Sequence, residues 1–411
     1  MHIVQISKAS RSGGGASRVA EMLHEGLIRK GLRSTHMARH PGSSSDAPVR
    51  LAWPTPPLRC CERALQVLSK MAGLPYAIPT EFPTLRRLAA RNPTLFHFHD
   101  LSNAISPLTL QMLSRHAPVV WTLHDCSPIT GGCLYPMACT RYLQSCGHCP
   151  QRGVWPLNTL RDGTRQMRAL QWWVHRHASI HYVSPSRWLA SLVQSSGAVT
   201  DVSVIPNGVD VQCFRPVLDR QELRARLGIP AGRPVVLVGA AALTEPRKGA
   251  KSAMEVLKKL QADVHPFVML LGKTDAKLLE SFHPLQFKTF GYVGSPTHLR
   301  ELYAAADAYL NCTLADNFPL SILESLACGT PVFGFRTGGI PEIVEDGYCG
   351  ALVGQTAVDE LAAMLRQYLL GRIGHHWREQ ACTHARENFS AERQIDAHLE
   401  LYRLIEPRPA C

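Results

Sequence analysis

Asp316 and Glu324 lie on either side of an Asn-Phe-Pro turn in "LADNFPLSILESLACGTPVFGF", Leu314 to Phe335. Pro319 is suited to open a helix, which puts Asp316 just outside the helix N-terminus and Glu324 on its second turn. Two carboxylates are then held apart on different elements. Read structurally, the first is an N-cap and the second a solvated helical acid. Read functionally, they are two separate acceptors around one helix start. Other residues with chemical potential sit at comparable junctions. "SRSGGGASRVAEML", Ser10 to Leu23, puts glycines between a strand and a helix, where the backbone can approach an anion and the helix start offers free N–H groups. It has neither the spaced dinucleotide fingerprint nor the Walker lysine. Arg247 and Lys248, in "RKG", follow a strand in the second half of the chain. His124 and Asp125 end "VVWTLHD", and His99 and Asp100 end "TLFHFHD". A His at such an edge is either a donor to a polar substrate or a structural histidine.

"GGCLYPMACTRYLQSCGHCP" gathers Cys133, Cys139, Cys146 and Cys149 in one segment rich in Gly and Pro. Four thiolates ending in a Cys-x-x-Cys knuckle predict a structural zinc, with two disulfides or four unlinked thiols as the alternatives. A closed set of four leaves no catalytic position on the metal.

Positioning these groups calls for strand ends. "IVQI", "TLFHFHD", "VVWTLHD" and "ASIHYVSPS" in the first half, and "PVVLVGA", "PFVMLLG", "KTFGYVG", "AYLNCTL" and "PVFGF" in the second, read as buried strands alternating with helix-period segments. The pattern predicts an α/β chain of two doubly wound, Rossmann-like parallel sheets whose strand ends face one another across a cleft. At 411 residues the chain is long enough for two domains. The boundaries expected are 1–205, 206–385, and a C-terminal helix over 386–411 crossing back to the first domain. The joint falls in "SVIPNGVDVQCFRP", and "EPRPAC" reads as a frayed tail. The stretch Arg33 to Pro83 is rich in Pro and Ser and yields no clear element.

Hydrophobic residues make up 45% of the chain and charged residues 18%, which excludes a disordered protein. No apolar run is long enough to span a bilayer, and the N-terminus lacks a basic n-region before an apolar segment, so a cytoplasmic protein is expected. Thirteen cysteines, an odd number and scattered, suit a reducing compartment. The formal charge of +12 is one-sided: residues 1–210 hold 22 Lys and Arg against 10 Asp and Glu, and the rest hold 22 of each. A basic half-molecule without a Lys/Arg block or interleaved aromatics favours an anionic membrane surface over a specific nucleic-acid site. Peripheral attachment to the inner face of the plasma membrane follows.

Taken together, "SGGGAS", "WTLHD", "VSPSRW", "IPNGVD", "RKG", "GYVG", "LYAAADAYL" and "DNFPLSILESLACGTPV" make the chain resemble the family 4 retaining glycosyltransferases of GT-B architecture over nearly its whole length. "WTLHD…TGGC…CGHCP" is similar to members that serve bacterial exopolysaccharide or O-antigen assembly. The resemblance implies a hexosyltransferase that takes a nucleoside diphosphate sugar as donor and a saccharide or lipid-linked saccharide as acceptor. It implies that Glu324 binds the ribose hydroxyls, and that Asp316 with the backbone of Asn317, Phe318, Pro319 and Leu320 reads the sugar. Two acids are needed because the donor carries two polyols. Lys248, helped by Arg247, would stabilise the departing diphosphate. His124 would contact the transferring sugar, Gly14 and Gly15 would admit the phosphate, and Tyr292 of "GYVG" would belong to the donor site.

One departure stands out. Where many relatives carry an additional Arg, this chain has Ala240 to Ala242, which shifts the phosphate's stabilisation onto Arg247, Lys248 and the helix dipole. No Asp-any-Asp motif occurs, so no catalytic cofactor and metal-independent chemistry are expected. Retention of configuration is implied by the resemblance alone. The alternatives are a nucleotide-sugar epimerase or phosphorylase of similar architecture, and a zinc-organised nucleic-acid-binding protein.

Overall fold

The structure, a computed structural model, describes residues 1–10, 13–42, 48–51, 56–90, 95–102 and 104–405. Arg11 and Ser12 of the glycine loop and the tail read as frayed, "EPRPAC", lie outside the described residues. The chain divides into two compact units, residues 1–206 with 394–411, and residues 207–393.

The first unit is built on seven strands: β1 (His2–Ala9), β2 (Arg33–His40), β3 (Val49–Arg50), β4 (Leu95–Phe98), β5 (Val119–Thr122), β6 (Ile180–Ser184) and β7 (Val202–Val204). They pair in the order β3-β2-β1-β4-β5-β6-β7, all parallel. The second unit has six: β8 (Val235–Ala242), β9 (Phe267–Lys273), β10 (Gln286–Gly291), β11 (Ala308–Asn311), β12 (Val332–Phe335) and β13 (Gly350–Val353). Their order is β10-β9-β8-β11-β12-β13, again all parallel. The winding direction reverses between β1 and β4 in the first sheet and between β8 and β11 in the second. At such a switch point the connections diverge to opposite faces and leave a crevice at the carboxyl ends of the strands.

The unbroken apolar runs of β8, β9 and β12 follow from burial on both faces. Val235, Leu237, Met269 and Tyr309 pack into one cluster, while their neighbours Val236, Val238, Val268 and Leu310 pack into another. Each fully buried Val or Leu contributes about 1.5–3 kcal/mol. These strands therefore form a rigid base for the loops that follow them.

The first sheet departs from that pattern. Within Arg33 to Pro83, where the sequence offered no clear element, the chain forms β2, β3 and a helix over Pro56–Met71. β2 escapes hydrophobic-pattern reading because His36 and Arg39 are buried in it beside Met37 and Ala38. The Arg39 guanidinium is compensated by an ion pair to buried Glu62 and a 3.2 Å hydrogen bond to the Leu51 carbonyl. The innermost strands carry polar residues too: Gln5 on β1 lies in register with His97 on β4, and both are fully buried.

Candidate functional site

The second switch point gathers the acidic unit and the cationic one. Asp316 follows β11, and Arg247 and Lys248 lie in a 3-10 turn, Pro246–Lys248, after β8. These strands are neighbours, so residues far apart in the chain become partners. Lys248 Nζ donates to Asp316 Oδ2 at 2.6 Å, and Arg247 Nη1 lies 3.5 Å from the same oxygen. Arg247 also pairs with Glu245 at 2.9 Å and donates to the Ala315 carbonyl at 2.5 Å. In the other direction, the Arg247 carbonyl accepts from Leu314 N–H at 2.8 Å and Thr313 Oγ1 at 3.1 Å. The two loops thus form one unit. Burial pushes the Asp316 carboxyl upward, but Lys248, Arg247 and the Asn317 N–H outweigh it and hold the pKa below the usual range. Asp316 is accordingly an anion.

Two glycines permit this closeness. Gly249 has φ +68°, and a Cβ there would meet the Cys312 carbonyl oxygen at 1.8 Å. Gly338 has φ +58°, and its Cβ would strike the Asp316 carbonyl at the same distance. Each position combines left-handed backbone with no room for a side chain.

Beyond Asp316 the helix Leu320–Ala327 starts from Pro319 without a side-chain cap. Its first N–H groups and its dipole make an anion-binding end. Glu324 is buried on the second turn at 2% exposure. Asn317 and Phe318 are buried in the connecting loop. Two residues that the sequence did not mark out brace this loop. Asn207 of "IPNGVD" donates to the Phe318 carbonyl at 3.1 Å, and Tyr309 OH bridges the Gly239 carbonyl at 2.8 Å and Ser321 Oγ at 3.2 Å. Burial raises the Tyr309 phenol to about 12, so it stays a neutral donor. The proline and glycine around Asn207 signal only a turn; its contact lies across a long stretch of chain. Tyr292 stands apart, 48% exposed beyond the edge strand β10, two strands away from β8.

In the first unit His124 and Asp125 follow β5, and His99 and Asp100 follow β4. The two turns are twins, His-Asp-x-Ser each. His99 Nδ1 and His124 Nε2 are 3.2 Å apart, and Ser102 Oγ and Ser127 Oγ 3.1 Å. Each Asp accepts from the N–H two residues on, Asp100 from Ser102 at 2.9 Å and Asp125 from Ser127 at 2.7 Å. Burial, then the nearby Asp100, push Asp125 up to about 7. Burial lowers His124 to about 3, with His398 as a further repulsion, so its imidazole is neutral. In the glycine loop the constraints fall on Gly13 and Gly14. A Cβ on Gly13 would lie 2.5 Å from Ala9 Cβ, and Gly14 has φ +105°. Gly15 is simply the exposed first residue of the helix Gly15–Arg29.

Cys133, Cys139, Cys146 and Cys149 line a common cavity with Pro136, Tyr142 and Leu157. All are free thiols. Among the described residues no group of three or more His, Cys, Asp or Glu is placed to hold a metal ion. Three of the four sulfurs have separate partners, Thr130 for Cys133, the Gly131 backbone for Cys146 and the Gln151 and Arg152 backbone for Cys149. Burial raises the thiol of Cys133 to about 12.

A doubly wound sheet whose switch-point loops join an acid, two cations and an uncapped helix start has the chemistry to hold an anionic ligand. Paired with a second doubly wound unit in one chain, it defines the GT-B class of glycosyltransferase. The family described as Glycosyltransferase Family 4 matches residues 13–212, and Glycosyl transferases group 1 matches residues 219–387. The chain belongs to the family 4 type of GT-B glycosyltransferase. WcaC of Escherichia coli (strain K12), a glycosyl transferase assigned provisionally to colanic acid biosynthesis, is 22% identical over 98% of this chain and 99% of its own. Anabaena Alr3699/HepE, solved with UDP-glucose, superposes with a TM-score of 0.64 at 17% identity, covering 98% of this chain and 100% of that one. WaaG, a glycosyltransferase involved in lipopolysaccharide biosynthesis, does so at 0.66 and 15%, covering 99% and 100%.

Proposed function

We propose that this protein transfers a hexosyl unit from a nucleoside diphosphate sugar to a saccharide or lipid-linked saccharide acceptor, with retention of configuration and without a metal, in bacterial surface polysaccharide synthesis. The observation that carries this reading is the Lys248–Asp316–Arg247 cluster beside the uncapped helix Leu320–Ala327. An ammonium has three N–H donors. One is used by Asp316, which leaves donors for phosphate oxygens as the glycosidic bond breaks and charge collects on the leaving diphosphate. The helix N-terminus supplies the fixed dipole that the missing Arg at Ala240 to Ala242 does not. Asp316 and the loop to Leu320 hold the sugar hydroxyls, and Glu324, one helical turn deeper, accepts from the ribose. His124 contacts the transferring sugar. Both UDP-glucose bound to HepE and the polysaccharide and lipopolysaccharide assignments of WcaC and WaaG support this choice of donor and acceptor class.

The division of labour between the acids is testable. Glu324→Ala should weaken binding of the free nucleotide, whereas Asp316→Asn should mainly lower turnover and relax sugar choice, since a charged hydrogen bond contributes about 1.5–3 kcal/mol. Titration calorimetry with UDP and GDP separates the two effects. Equal losses of nucleotide affinity in both variants would contradict the assignment.

Membrane attachment is part of the same reading, and the helix Pro56–Met71 supports it. At 100° per residue, Val67, Leu68 and Met71 share a face and are 56%, 61% and 50% exposed. Arg59, Arg63 and Lys70 form a stripe beside that face, while Glu62 and Ser69 point into the domain. An exposed apolar face flanked by cations suits an anionic bilayer interface. Among the described residues, no helix is long and apolar enough to cross a membrane. Flotation with acidic liposomes should fall steeply between low and physiological salt, where charges are screened over about 8 Å. Leu68→Glu should reduce it severalfold; unchanged flotation in that variant would rule this helix out.

A further inference from the structure

The histidine expected to touch the sugar belongs to a buried hydrogen-bond chain that reaches the C-terminal helix, Ala391–Ile405. Its links run from His124 Nε2 to His99 Nδ1 at 3.2 Å and from His99 Nε2 to Gln5 Oε1 at 2.7 Å. They continue from Gln5 Nε2 to Tyr402 OH at 3.3 Å, from Tyr402 OH to His97 Nδ1 at 2.6 Å and from His97 Nε2 to Thr122 Oγ1 at 2.7 Å. Gln5, His97, His99, Thr122 and Tyr402 are at most 1% exposed, so each proton must find its acceptor inside the chain.

The orientation of the Gln5 amide, Oε1 toward His99 and Nε2 toward Tyr402, sets the direction. Gln5 Oε1 can only accept, so His99 carries its proton on Nε2 and offers a lone pair at Nδ1. His124 must then donate from Nε2. At the other end Gln5 Nε2 donates to Tyr402, whose hydroxyl donates to His97 Nδ1, and His97 donates from Nε2 to Thr122. Three neutral imidazoles, an amide and a phenol satisfy every link with no proton left over. Reversing any one link would require turning the Gln5 amide and reversing all the others with it.

We infer that Tyr402, Gln5 and His99 are positioning residues that fix His124 as the Nε2–H tautomer. Any hydrogen bond made by His124 Nδ1 is then one it accepts, which from a sugar means a hydroxyl O–H. The chain also ties this setting to seating of the C-terminal helix, since Tyr402 is its contribution. A fourth buried imidazole, His398 on the same helix, lies 5.4 Å from His97 and donates Nδ1–H to the Gln394 carbonyl at 2.8 Å. Protonating either ring would bury an uncompensated charge, and protonating both would place like charges together.

The consequence for turnover rests on the reading of His124 as a sugar contact; the tautomer itself does not. Long-range proton–nitrogen NMR of protein labelled with nitrogen-15 histidine, with the signal assigned by loss in His124→Ala, reads the tautomer without any substrate. The Nε2–H pattern is expected in the wild type, and a mixture of both tautomers in Tyr402→Phe and in Gln5→Leu. Nδ1–H in the wild type, or an Nε2–H signal that both variants leave unchanged, would overturn the inference. In Tyr402→Phe, kcat is expected to fall roughly tenfold with donor KM within about twofold, the pattern of a lost transition-state contact. Wild-type turnover in His124→Ala would instead remove His124 from the sugar site and with it the catalytic role of the chain.

Discussion

Lys248→Ala is expected to lower turnover by roughly two to three powers of ten while the second unit remains folded. The size follows from where the charge sits. Lys248 Nζ is 2.6 Å from Asp316 Oδ2, in a loop fixed by Gly249 and by the bonds from Leu314 and Thr313 to the Arg247 carbonyl. An ammonium held that way needs no reorganisation when the diphosphate departs. The fold should survive because Arg247, 3.5 Å from the same carboxylate oxygen, still neutralises Asp316. Asp316 would nonetheless move toward the ordinary carboxylate range, since Lys248 is the largest influence lowering it. Steady-state kinetics with unchanged far-ultraviolet circular dichroism checks the result. Near-normal turnover would take Lys248 out of the mechanism.

The first unit is expected to unfold in mild acid, well before the second. Burial lowers His36, His175 and His398 to about 4 and His124 to about 3, and holds His97 and His99 well below the normal value. For each, the unfolded chain binds a proton near pH 6.5 and the folded chain does not. Stability is therefore lost as pH falls below about 6.5, at up to ~1.4 kcal/mol per pH unit per histidine. Three carboxyls act in the opposite sense. Burial raises Asp100, Glu81 and, to about 7, Asp125, so protonating them favours the fold as pH falls toward about 4. The lowered histidines outnumber the raised carboxyls, so the net effect of falling pH on this unit is a loss of stability, set against a domain stability of only about 5–15 kcal/mol. In the second unit Asp307 and Asp316 have lowered values, so their stabilisation persists until the pH drops below the ordinary carboxylate range. Calorimetry across pH 4 to 7 should show one transition moving down in temperature ahead of the other. Two transitions with equal pH dependence would contradict the account.

How much of this was legible in the sequence depended on which kind of signal each element carried. β8, β9, β11 and β12 are continuous apolar runs, because both faces of the second sheet are covered, and period and propensity find them easily. β2 hides behind His36 and Arg39, whose burial is made tolerable by partners such as Glu62, far along the chain. β7 is three residues long and largely exposed, and β13 reads as an ordinary loop end. The helix from Leu320 with Glu324 on its second turn could be read from Pro319 and Gly329 alone. The ion pair from Asp316 to Lys248 could not, since only the adjacency of β8 and β11 brings the two together. The same holds more strongly for Gln5 and Tyr402, which sit near opposite ends of the chain. The cysteine cluster was legible from spacing alone, and in the fold Cys133, Cys139, Cys146 and Cys149 do line one cavity.

Donor consumption across a panel of UDP- and GDP-sugars, followed by phosphorus and proton NMR in EDTA, tests the central claim most directly. One donor should be consumed by the wild type, releasing nucleoside diphosphate. Its sugar should keep its anomeric configuration in the product, and the rate should fall at least a hundredfold in Lys248→Ala. Consumption of no donor, inversion at the anomeric carbon, or equal consumption by the wild type and the variant would contradict it.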